Sequence, residues 1–384
     1  MNAYYIIGFV LYLHYVIGAI FADVSGLTLL PILALLGAAV YGAGGLILHR
    51  ASLTYAAAIV FVYTAYVLFF DWTEYALFKY GMFMLKAVPL LLIGSLIVQQ
   101  RDQYFQGISR ALLLFLGICI LYIAFANVAV GVNDRLEIGV FNPIWISRAL
   151  FELVLILAIV LKPPQRHTIA VFVAAMCVAY YAGSKGPILA FLAAYFLWLR
   201  STRKGGGSKL KKWLIYTTIF ATPVVVYFVV DPTSYVFQRF FLPVPDGTSA
   251  ELVESSRSVV WPITAAKFVG QDLIPMLFGN GIGSFPKFYY GNGADYRYYP
   301  HNLLLELLVE HGALLTVAAI VFLIAKIRKT SSEYKYILIY FLINSLFSGD
   351  FVLNEYIFFY LGLMIADGAA PRFRNTVQPR MLKV

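Results

Sequence analysis

The residues best suited to chemistry begin at Tyr299-Pro300-His301-Asn302, where a long apolar run starts. Proline favours a turn before a helix, so His301 is expected at a helix N-terminus. The positive end of a helix disfavours imidazolium and keeps the ring neutral, the form in which it can take a proton from a hydroxyl. Glu306 and Glu310 follow on the same run, and Asn302 and Glu310 are candidate substrate contacts beside the base. Upstream, Ser255-Ser-Arg257-Ser-Val-Val-Trp261 puts an arginine and a tryptophan one turn apart if helical. The planar guanidinium fork matches phosphate oxygens as an ammonium does not, and Trp261 joins it as a substrate contact. Lys185 lies in Gly183-Ser-Lys-Gly-Pro187, a turn so tight between two apolar runs that the cation is held beside a helix N-terminus, a place suited to phosphate. An ordinary interfacial lysine is the alternative.

Deeper in the apolar runs, Arg148 and Glu152 lie four residues apart on one helical face. They read either as an intramembrane ion pair or as a substrate-facing arginine with a neighbour. Lys86, about two turns into another run, either snorkels outward, the reading preferred here, or points into a cavity. Arg297 is a further candidate contact, set in the aromatic-rich 289–299 stretch whose rings either stack on sugar faces or form an interfacial belt. No Asp-x-Asp pair or histidine cluster accompanies these residues to hold a metal. A transfer reaction here would therefore neutralise a leaving pyrophosphate with protein cations, namely Lys185, Arg257 and Arg148. Gly279-Asn-Gly-Ile-Gly283-Ser lacks the lysine of a nucleotide-binding P-loop. A different assignment keeps the transfer but makes a carboxylate, for example Asp23, the base.

The elements that must position these groups are membrane helices. Of 384 residues 61% are hydrophobic and 12% charged, and mean hydropathy is +0.80; soluble domains carry about 25% charge. The net charge of +10 sits in short stretches between apolar runs, which is a topological pattern and speaks against nucleic acid as a partner. Cys119 and Cys177 both fall inside apolar runs, so no disulfide framework exists. The first run lacks a basic leader and a cleavage site, so it reads as a retained helix. Runs of about 17–25 apolar residues can span a bilayer, which gives an all-α, polytopic bundle of about 12 spans. Among them are residues 80–98, 143–161, 168–183, 187–199 and 303–325, with a short final pair at 336–347 and 352–366. Lysine and arginine place both termini in the cytoplasm, leaving Lys79, Arg135 and Lys185 in short outer loops. The chain divides into spans at 1–230, an extracytoplasmic loop at 231–300 with short surface helices, for example at 235–242 and 259–269, and spans with a basic tail at 301–384.

Ser184-Lys185-Gly, Ser255-x-Arg257-x-x-x-Trp261, the Gly281-Ile-Gly283 turn, and His301-Asn302 followed by Glu310-x-Gly312 resemble the motif series of the O-antigen polymerase and O-antigen ligase family. The likeness spans about residues 130–315, and the ordered combination is more specific than any piece. It implies a bacterial inner-membrane glycosyltransferase with a GT-C-like fold, working on the periplasmic face. The donor and acceptor partners would be undecaprenyl-pyrophosphate-linked glycans in the membrane lipid, with no metal or other cofactor, inversion at the anomeric centre, and a chain-length regulator as a further partner. On that resemblance His301 activates the acceptor hydroxyl while Arg257 and Lys185 hold the pyrophosphate. The family usually has arginine where this chain has Lys185, which keeps the charge and loses the fork. The forms Asn142-Pro-Ile-x-x-x-Arg148 and Tyr-Pro-His-Asn look more like polymerases of repeat units than like ligases. A ligase acting on lipid A-core is the alternative, and a flippase or transporter of lipid-linked oligosaccharide is the alternative of another class.

Overall fold

The computed structural model describes residues 3–20, 37, 50–70, 73–96, 101–125, 138, 141–202, 257–291, 298–348, 351 and 354–369. Among these the chain is helical, without a strand, and a single bridge joins Ile138 to Phe141. In chain order the helices are α1 (Ala3–Ile20), α2 (Arg50–Leu68), α3 (Glu74–Leu96), α4 (Arg101–Phe125), α5 (Pro143–Leu161), α6 (Gln165–Tyr181) and α7 (Lys185–Thr202). Then come α8 (Arg257–Val269), α9 (Leu273–Phe278), α10 (Phe285–Tyr290), α11 (Leu303–Lys329), α12 (Lys335–Ser345) and α13 (Tyr356–Ala369). Four of them, α3, α4, α5 and α11, are long and apolar enough to cross a membrane, and α1, α2 and α13 contribute shorter apolar stretches. This is an all-α, membrane-type bundle. Two more of the about 12 expected spans, 26–48 apart from residue 37 and 213–230, together with the surface helix at 235–242, Asp23 and Arg297, lie outside the described residues.

Local sequence sets the helix starts. Thr73 caps α3 by accepting from the Ala76 amide. Asn142 caps α5 by accepting from the Ile144 and Trp145 amides, with Pro143 in the first turn where its missing N–H costs nothing. Each such cap is worth about 1 kcal/mol. The helices then pack through small residues, as lipid-facing bundles do because apolar burial gives no preference between helix and lipid. At the α1–α4 crossing a Cβ on Gly8 would strike the Tyr104 carbonyl, and one on Gly107 would strike the Tyr5 carbonyl. Gly94 and Gly362 make the same reciprocal contact between α3 and α13.

The final pair consists of separate helices. The Phe341 ring of α12 lies against Tyr356 and Tyr360 of α13, so the chain doubles back between them. The described helix termini gather at two ends of the bundle. One end holds the starts of α3, α5, α7 and α11 and the α12–α13 turn. The other holds Arg101, Lys162, Glu333 and Asp367, joined as ion pairs at 3.6 Å (Arg101–Asp367) and 2.7 Å (Lys162–Glu333).

Candidate functional site

His301 is one of two described non-glycine residues with positive φ, at 54°. For a side chain with a Cβ this conformation is uncommon and costs about 1–3 kcal/mol, and such strain concentrates at functional sites. The turn is fixed on both sides. After it, Asn302 caps α11, its Oδ1 accepting from the Leu304 and Leu305 amides at 3.0 and 3.2 Å. Before it, the Trp261 indole donates to the Pro300 carbonyl at 2.8 Å, and the Tyr299 ring sits 4.5 Å from the imidazole. His301 itself is half-buried.

Trp261 belongs to α8, whose first residue is Arg257, so the expected one-turn spacing is realised in a helix that starts with the half-buried guanidinium. The indole bond therefore docks the arginine's helix on the histidine's turn. Val260, Phe285, Tyr289 and Val309 form a small apolar core beneath them, with Trp261 and Tyr298 packed at its edge. Four expected site residues, Arg257, Trp261, His301 and Asn302, thus belong to one assembly.

The glycine motifs have a backbone explanation. Helix α11 breaks at Gly312, where φ is 73°. The break frees the carbonyls of Val309 and Glu310, which accept from the amides of Asn280 and Gly281 at 2.9 and 3.0 Å. The Tyr66 hydroxyl lies within hydrogen-bond reach of the same Glu310 carbonyl and of that of Phe278, its one proton shared between them. A Cβ on Gly279 would strike the Glu310 carbonyl, and one on Gly312 would strike the Gly279 amide. One on Gly283 would come within 2.7 Å of the Ala76 amide. The turn at 279–283 is thus a backbone clasp between α11 and the first turn of α3.

Three expectations change. Lys79, assigned to an outer loop, is fully buried in α3, where its ammonium donates to Glu306 and, at 2.7 Å, to Glu310. Helix α3 starts at Glu74, upstream of where the apolar run suggests, so Lys79 is a helical residue facing inward. Glu310 accordingly sits in a buried ion-pair cluster. Lys86 does not snorkel: it pairs with Glu355 at 3.3 Å, from a π-helical turn at Phe83–Ala87, a feature frequent at functional sites. Arg148 and Glu152 turn to different partners, Arg148 to the Asn354 side chain at 2.7 Å and Glu152 to the hydroxyls of Tyr12 and Tyr360.

These corrections share one neighbour, the α12–α13 turn. Its Phe351 amide donates to Glu306 at 3.0 Å, its Asn354 receives Arg148, and its Glu355 receives Lys86. Phe347 packs against Gly186, where an added Cβ would lie 3.1 Å from the Phe347 Cβ. That contact puts exposed Lys185, the first residue of α7, at the same end of the bundle. Sequence reasoning missed Lys79 and this turn, although two carboxylates one turn apart on a membrane span signal a missing cation.

Among the described residues no three His, Cys, Asp or Glu side chains converge as a metal-ligand set would. A family model described as O-Antigen ligase matches residues 170–320, which supports the likeness to the O-antigen ligase/polymerase family. The match covers Lys185, Arg257, Trp261, Arg297, His301, Asn302 and Glu310 and leaves Arg148 outside. No curated protein matches the chain.

Proposed function

We propose that the chain polymerises lipid-linked polysaccharide repeat units on the extracytoplasmic face of the bacterial inner membrane. The acceptor is a sugar hydroxyl of one lipid-linked unit, and the donor is a glycan on undecaprenyl pyrophosphate. His301 takes the hydroxyl proton as that oxygen attacks the anomeric carbon. The bond from that carbon to the pyrophosphate oxygen breaks with inversion, and undecaprenyl pyrophosphate leaves with the electron pair. Arg257 and Lys185 stabilise the negative charge that develops on the leaving group, a role that counts for more in a water-poor site than in bulk solvent. Arg297 is a further donor contact, and Trp261 and Asn302 set the histidine turn. General-base assistance of this kind is typically worth about 10²–10⁴-fold in rate.

The observation that carries this reading is the Trp261–Pro300 bond, which ties the helix beginning with Arg257 to the strained turn holding His301. It supports a base and a phosphate-binding cation acting on one substrate. The description of the matched family model favours a second reading, in which the glycan passes to lipid A-core.

The test is a reconstituted assay with lipid-linked repeat unit, alone and with lipid A-core, run in a chelator because protein cations are proposed to carry the leaving group's charge. Elongation without the core, unaffected by the chelator, is the expected result. Transfer only when the core is present makes the protein a ligase. Activity lost in chelator and restored by magnesium or manganese would overturn the cation-only account.

A further inference from the structure

We propose that Lys79 is a positioning residue for His301, acting through the outer segment of α11. The inference rests on the transfer chemistry proposed above. Before its break at Gly312, α11 runs from Leu303 to His311, about 13 Å at helical rise. This segment is a short lever with the Gly312 hinge at one end and the His301 turn at the other. The 279–283 clasp holds it near the hinge and Trp261 holds its tip. Between those points the lever is held by charge. Glu306 and Glu310, one turn apart on the lever and both buried, accept from the single ammonium of Lys79 on α3. Glu306 also accepts from the Phe351 amide, so the same contact braces the lever against the α12–α13 turn.

Removing the ammonium leaves two like charges one turn apart in a low-dielectric site, where breaking a buried pair is strongly unfavourable. The inexpensive relaxation is rotation about Gly312 that lets water reach the carboxylates. A swing of about 5° over the lever moves its tip by about 1 Å, and a misplacement of that size can cost about 10²-fold in rate. Lys79 touches no reacting atom in this scheme. Its effect reaches the reaction only through the position of the imidazole.

The experiment is a double-mutant cycle in the full-length reconstituted protein, with kcat, KM for the lipid-linked donor and melting temperature measured on each variant. Lys79→Met is expected to lower kcat by about 10²-fold with donor KM within about twofold. In a His301→Ala background, where no base remains to be positioned, Lys79→Met should change the residual rate by less than about twofold. Losses that multiply across the two substitutions, or an unchanged kcat in the single variant, overturn the proposal. If Lys79→Met does not fold, Glu310→Gln keeps the Lys79–Glu306 pair. That variant should show a smaller loss, about tenfold, with the same non-additivity. A His301→Ala protein as fast as wild type instead sinks the proposed function, so the two failures are told apart.

Discussion

At one end of the bundle, Lys162 and Glu333 meet with side chains 54% and 42% exposed, and Arg101 meets Asp367 at 48% and 23%. At the other end, Lys79 meets Glu306 with neither side chain exposed. The chain thus keeps charge in water at one end and withdraws it at the other. An exposed pair contributes about 0–1 kcal/mol, whereas breaking a buried one costs about 3–5 kcal/mol. The difference teaches that charged residues at one end are compatible with simple topology, while those at the other fix geometry. The buried cluster, the strained histidine turn and the glycine clasp share the second end, where Arg257 and Lys185 also lie.

The sharpest break in this contrast is His301→Ala, expected to lower turnover by about 10²–10⁴-fold with little change in melting temperature. His301→Gln keeps a hydrogen-bonding group but cannot take the proton, and should be nearly as slow. If glutamine restores both rate and stability, the histidine is only a tether. A smaller effect is expected from exchanging the two cations proposed to hold phosphate. Arg257→Lys loses the fork and should slow transfer about tenfold, whereas Lys185→Arg should keep or raise the rate. Equal responses in a side-by-side rate measurement would show that the fork does not matter. The smallest effect belongs to the opposite end. There Lys162→Ala should leave transfer unchanged and shift stability by no more than about 1 kcal/mol in chemical unfolding. A loss of activity comparable to that at Arg257 would erase the distinction between the ends.

Much of this was legible in the sequence. Apolar runs located α6 and α7 to within a few residues, the run at 143–161 matched α5, and Arg257 and Trp261 fell one turn apart as their spacing required. Tyr299-Pro300-His301 correctly marked the start of α11, and the order of motifs pointed to the family whose model matches residues 170–320. What escaped was pairing. Hydropathy sums the transfer cost of each residue along the chain, so it stopped α3 short of Lys79, a lysine whose cost is offset 227 positions away by Glu306. Arg148 and Glu152 looked like partners because they are neighbours on a helix. Arg148 instead finds its bond in the α12–α13 turn and Glu152 on α1 and α13, each more than a hundred residues distant in sequence.

The clasp at Gly312 has a consequence for how such a protein can diversify. Its central bonds run from main-chain amides to main-chain carbonyls, so they specify the absence of side chains at 279, 283 and 312 and say little about what stands between. Ser284 can therefore be exchanged, within the space available to it, without opening the joint, whereas Ile282 is held among Tyr63, Val67, Phe83 and Ala87. A joint written in backbone can keep its geometry while the side chains around it change.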